Sequence, residues 1–97
     1  MNIPRIIYTR HARRRILERG LDVDHIERIA LEPVAIVESY PEDTPFPSRL
    51  VLGWHDGAPL HILVAEDSSR GTIVIVTAYH PDPERWDDTF LVRRSTS

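Results

Sequence analysis

The chain has 97 residues, enough for one domain and a modest core but not for two domains. Hydrophobic residues make up 41% and charged residues 28%, the balance of a folded globular chain and not of a disordered one. The absence of cysteine excludes disulfides and thiolate chemistry, so any metal would need His and carboxylate ligands.

In chain order, residues 3–8 read as a short strand or an extended lead-in. Thr9 is an N-cap, and Arg10–Arg19 then reads as a helix closed by Gly20 at the C′ position. Asp22 or Asp24 caps a second helix, with Val23, Ile26, Ile29 and Ala30 at helical spacing and Pro33 as its stop. The period then changes to two. Strands are predicted over 34–40, 49–55, 59–66 and 72–79, with a proline-rich loop at 41–48. Asp56-Gly57 is a hairpin signal, although Ala58 and Pro59 suggest a loop longer than two residues. The run 72–79 is β-branched on both faces and reads as a central strand buried on both sides. Residues 80–86 break it off into one helical turn, and the segment from about 87 reads as a tail. The expected architecture is a single α+β domain over 1–97, with two N-terminal helices on one face of a four-stranded, mainly antiparallel sheet.

Net charge is −3, but it is segregated: residues 1–20 carry six arginines against one glutamate, a net of +5. The other 77 residues carry six arginines and fourteen acids, a net of −8. Lysine is absent, so every fixed cation is a planar guanidinium fork suited to phosphate or carboxylate. This division suggests one surface for a polyanion and one for something basic. No apolar run approaches membrane-spanning length, and the first residues lack the apolar stretch and cleavage site of a signal peptide. The cytoplasm is the expected compartment.

On a wheel of about 100° per residue, His11, Arg15 and Arg19 lie within about 80° of one another, flanked by Arg14 and Glu18. The stripe sets an imidazole, which exchanges a proton near neutral pH, beside permanent cations. A solvated basic face is the ordinary meaning of such a helix. Here the helix departs from an acidic chain and offers little Glu-to-Arg pairing. Further along, Arg49 alternates with Val51, Gly53 and His55, while Leu50, Leu52 and Trp54 take the other face. His61 shares a face with Leu63 and Ala65. A strand histidine is more often a hydrogen-bonded structural residue than a catalyst. Tyr79 and His80 stand where the central strand ends, a position that suits either capping or function.

No HxH, HxxxH or HExxH spacing occurs, and no glycine-rich phosphate loop or GxSxG elbow. Neither a metal nor another cofactor is expected. Histidines and arginines by themselves suit RNA cleavage: a base for the ribose 2′-OH, an acid for the leaving oxygen, and cations on the phosphate.

The run HARRRILERGL (11–21) resembles a signature of the form His-Ala-x-x-Arg-x-x-x-Arg-Gly-hydrophobic. GAPLHILVAED and TIVIVTAYHPDPERWDD follow in order. Together they resemble the bacterial family catalogued as domain of unknown function 4258, over nearly the whole chain. The resemblance implies an architecture similar to the RelE, ParE and MqsR toxin folds. It further implies a type II toxin that cleaves RNA, including ribosome-bound mRNA. Such a toxin would be neutralised by a cognate antitoxin protein, such as a YgiT-type zinc finger. By position, His11, Arg15 and Arg19 match the helix signature, His61 the Pro-Leu-His of the hairpin, and Tyr79 the aromatic before the Pro-Asp-Pro turn. His80 stands where arginine or another residue is frequent. The resulting assignment makes His11 general base or acid and Arg15 with Arg49 the phosphate clamp. His61 or Tyr79 becomes the second proton-transfer group, and Arg14 and Arg19 touch RNA. The pI near 5.9 confines such contact to the N-terminal helix and nearby strands. It also fits the alternative, a non-enzymatic protein-binding module that inhibits or partners a protein target.

Overall fold

The computed structural model describes residues 3–95. The elements are β1 (Arg5–Tyr8), α1 (Arg10–Arg19), α2 (Val23–Leu31), β2 (Ala35–Tyr40), β3 (Ser48–His55), β4 (Ala58–Asp67) and β5 (Thr72–Tyr79). Thr9 caps α1: its hydroxyl oxygen accepts from the Ala12 N–H at 3.0 Å and its O–H donates to the Val76 carbonyl at 3.0 Å. Such a cap is worth about 1 kcal/mol, and this one also ties the helix start to β5. Gly20 takes the left-handed conformation at φ 61°, where a Cβ would be strained, and returns its N–H to the last turn. Of the two candidate caps for α2, Asp22 is the one used, accepting from the Asp24 N–H at 2.8 Å.

The sheet has five strands in the order β1-β5-β4-β3-β2, and not the four expected. The added strand is β1, which pairs parallel with β5 in the register Arg5↔Thr72 to Tyr8↔Ile75. The sheet is therefore mixed. Residues 3–8 could not declare themselves a strand locally, because their hydrogen-bond partners lie more than sixty residues away. The β3–β4 turn is also shorter than expected. His55 pairs with Ala58, leaving Asp56 and Gly57 as a two-residue turn, with φ of 51° and 78°. Pro59 is tolerated because its pair with Trp54 is a non-hydrogen-bonded one, so its missing N–H costs β3 nothing.

Both helices cover one face of the sheet. Ala12, Ile16, Ile26, Ile29 and Ala30 pack on Val51, Ile62, Val64 and Ile75 to form the core. Gly53 permits this approach: a Cβ there would meet three side-chain atoms of Ile29 at 2.4–2.7 Å. Beyond Tyr8 the edge of β5 is covered by α1. Thr9 bonds Val76, His11 Nε2 lies 3.2 Å from Thr77 Oγ1, and Arg19 donates to the Ala78 carbonyl at 2.7 Å. No helix among the described residues is long and apolar enough to cross a membrane.

The second face is covered only in part, and by the segment expected to be a tail. Trp86 is buried and bridges to Arg93, the Arg94 N–H donates to the Arg85 carbonyl at 2.8 Å, and Phe90 packs edge-on against Trp54. Partial cover explains why β5 is not buried on both sides. Ile73, Ile75 and Ala78 are buried under the helices, while Val74, Thr77 and Tyr79 on the other face are half-buried.

Candidate active site on the open sheet face

The open face places His61 (β4) beside Tyr79 (β5), as their pairing dictates. His61 is fully buried, edge-on to Trp86 at 4.5 Å between ring centroids. Its Nε2 lies 2.8 Å from the Phe90 carbonyl, which can only accept, so Nε2 carries the proton. Burial lowers the His61 pKa and keeps the ring neutral, and Nδ1 is then an acceptor. The Tyr79 hydroxyl lies 3.2 Å from it and donates. Burial raises the Tyr79 pKa, so this phenol is held protonated.

A second network anchors the chain end across the sheet. Arg93 donates from Nε and Nη2 to both carboxylate oxygens of Glu38 (β2), at 3.2 and 3.0 Å. The Tyr40 hydroxyl also donates to Glu38. These bonds hold the Glu38 carboxyl below the usual range, Arg93 first and Tyr40 second. The Arg93 guanidinium also stacks over Trp86, 4.5 Å from the ring centroid.

Two grooves meet at Tyr79 and Arg93, which line both. One, of about 570 Å³, has Arg19, Arg85 and Arg93 on its walls with His80, Asp82 and Trp86. His80 Nδ1 lies 2.8 Å from the Pro59 carbonyl and so carries the proton in the neutral ring, leaving Nε2 as the basic nitrogen. The other, of about 480 Å³, has a floor of Leu50 and Leu63 and a rim of Tyr40, Glu42 and Asp43. The first groove can seat an anion between guanidiniums and offers it two proton-transfer groups, the Tyr79 hydroxyl and His80 Nε2.

Of the residues singled out in the sequence, the fold brings Arg19, His61 and Tyr79 to this site. His11 is bonded to Thr77, which lines the second groove. Arg15 is turned to Glu18 at 2.8 Å, and Arg14 is exposed. Arg49 does not join His61. It pairs with Val64 on the helix-side face and bonds Glu66 at 3.3 Å. A phosphate clamp of Arg15 with Arg49 therefore does not form around His61, because Arg49 and His61 lie on opposite faces of the sheet and Arg15 is paired with Glu18. Sequence reasoning missed Arg85, Arg93, Glu38 and Tyr40. The only signal for Arg93 was an arginine pair after Trp86, in a stretch with no period to orient it. Among the described residues no cluster of three His, Asp or Glu groups could hold a metal ion.

The molecule is thus an α+β domain with an arginine-lined groove and a His–Tyr pair on its partly covered sheet face. The model of the family described as Domain of unknown function (DUF4258) matches residues 8–80, and the chain belongs to that family. No curated protein and no solved structure matches it.

Proposed function

We propose that the chain is an endoribonuclease that needs no metal, acting as a RelE-like type II toxin. The observation that carries this reading is the convergence of Arg19, Arg85 and Arg93 on a groove that also holds Tyr79 and His80. Arg19 and Arg85 match the charge that grows on a pentacoordinate phosphate, and Arg93, whose charge is shared with Glu38, borders them. His80 Nε2 takes the proton of the ribose 2′-OH. The O2′–P bond forms and the P–O5′ bond breaks. Tyr79 turns its O–H from His61 Nδ1 to the leaving O5′ and protonates it, giving a 2′,3′-cyclic phosphate and a 5′-OH. The phenolate left beside Arg93 regains its proton from the His80 imidazolium through solvent. His61 orients Tyr79 and takes no proton, in keeping with its buried neutral ring. His11 sits at the margin, on Thr77, and makes the smaller contribution. An antitoxin protein that neutralises such an enzyme would serve best by filling the arginine groove.

The test is incubation of purified protein with a defined RNA in EDTA, free and on ribosomes. Wild type is expected to release 2′,3′-cyclic phosphate ends. Tyr79→Phe is expected to fall by about 10²–10⁴-fold. RNA left intact in both settings sinks the nuclease reading, and capture of one protein partner would then favour the binding-module alternative.

A further inference from the structure

The groove floored by Leu50 and Leu63 has no role in the chemistry above, yet it opens onto the arginine groove through the shared residues Tyr79 and Arg93. A nucleotide whose phosphate lies among the arginines would have its base at this opening. The walls suit a base. The floor is apolar, and Tyr40 offers a ring held in place by its hydroxyl bond to Glu38. The rim loop is pinned as well. Asp43 Oδ2 accepts from the Ser48 hydroxyl at 2.6 Å, and Oδ1 accepts from the Thr44 N–H at 3.0 Å. Glu42 is exposed at the same rim and makes no hydrogen bond or ion pair among the described residues. Its carboxylate only accepts.

Resting on the phosphodiester reading of the adjoining groove, we propose that this groove is a nucleobase subsite selective for guanine, stacked on Tyr40 with its Watson–Crick edge toward Glu42. Guanine presents two adjacent donors on that edge, N1–H and the N2 amino group, which a carboxylate accepts as a pair. Uracil presents one donor between two carbonyls, and those carbonyls face the carboxylate with like charge. Single-stranded RNA is commonly read in this way, by a base stacked on an aromatic ring and bonded along its Watson–Crick edge. The groove joins the arginines at Tyr79, and we seat in it the base whose 3′-phosphate is attacked. Cleavage would then follow guanosine.

The test is titration of the full chain with guanosine 3′-monophosphate and uridine 3′-monophosphate, read by amide chemical shifts. The guanosine nucleotide is expected to bind about tenfold tighter. Tyr40→Ala is expected to weaken guanosine 3′-monophosphate by about tenfold or more, and Glu42→Gln to bring it down to the uridine value. Glu42 is exposed, so that variant keeps the test open if Tyr40→Ala perturbs the fold. Arg85→Ala is expected to weaken both nucleotides alike. Equal binding of the two nucleotides, binding of neither, or a preference that survives both Tyr40→Ala and Glu42→Gln overturns the subsite. The nuclease reading fails on a different measurement, intact RNA in the cleavage assay.

Discussion

The same strands carry two different surfaces. On the helix side Val51, Ile62, Val64 and Ile75 are sealed under α1 and α2. On the other side, one residue out of step, His61, Tyr79, Glu38 and Tyr40 form bonded polar groups under a thin cover of chain from residues 86–93. The pleat is common to both. What differs is the thickness of the cover: two helices exclude water from Val51, Ile62, Val64 and Ile75, whereas the strapped side buries Leu50, Leu52 and His61 but leaves Leu63, Thr77 and Tyr79 partly exposed. The sealed face should therefore govern stability and the strapped face chemistry.

That division breaks most visibly if the sealed face is hollowed. Ile62→Ala removes a fully buried side chain and is expected to cost about 2–5 kcal/mol, read as a lower urea midpoint. Gly53→Ala strikes the same face by overpacking Ile29, at about 1–3 kcal/mol. On the strapped face, Tyr79→Phe leaves the buried His61 Nδ1 without its donor and should cost about 1–3 kcal/mol in stability while removing most RNA cleavage. A large loss of stability with cleavage preserved would reverse the two faces' roles.

The strapped face should also carry a pH signature. Unfolded, His61 titrates near 6.5, and burial holds the folded value lower. Between these values the unfolded chain binds more protons, so stability rises with pH there. The contribution is complete above the unfolded value and is lost as pH falls through the folded one. Urea midpoints measured downward from pH 7 should fall, and His61→Gln should flatten that slope. Glu38 acts further into acid. Its folded pKa is depressed by Arg93 and Tyr40, so its contribution is present above the ordinary carboxylate range and lost as pH falls through the folded value. Glu38→Gln should remove under about 1 kcal/mol, because Arg93 is well exposed. The smallest effect is expected from Arg49→Ala, on the helix-side face beyond the helices. Stability should stay within about 0.5 kcal/mol and cleavage within about twofold.

Much of the sealed face is legible without coordinates. Thr9 and Gly20 bracket α1 by cap chemistry, Asp22 opens α2, and alternation sorts Leu50 from Val51. The candidate site is legible only in fragments. Helical periodicity groups His11, Arg15 and Arg19, but that stripe divides: Arg19 reaches β5 and the groove, while Arg15 turns to Glu18. The alternation sets Arg49 on the other face of β3 from Leu50 but does not say which face of β4 either one joins. Only the register, with Leu50↔Leu63 and Leu52↔His61, turns that into an opposed location.

The N-terminal arginine helix, its caps and the apolar alternation of the strands are local properties, fixed by side chains within one or two turns of each other, and the sequence by itself determined them. Three features depended on contacts between distant segments: the parallel place of β1, the strap that brings Arg93 over Trp86 to Glu38, and the meeting of Arg19 with Tyr79. Hydrogen bonds and ion pairs across such separations leave no periodicity in the chain. The tertiary structure alone decided them.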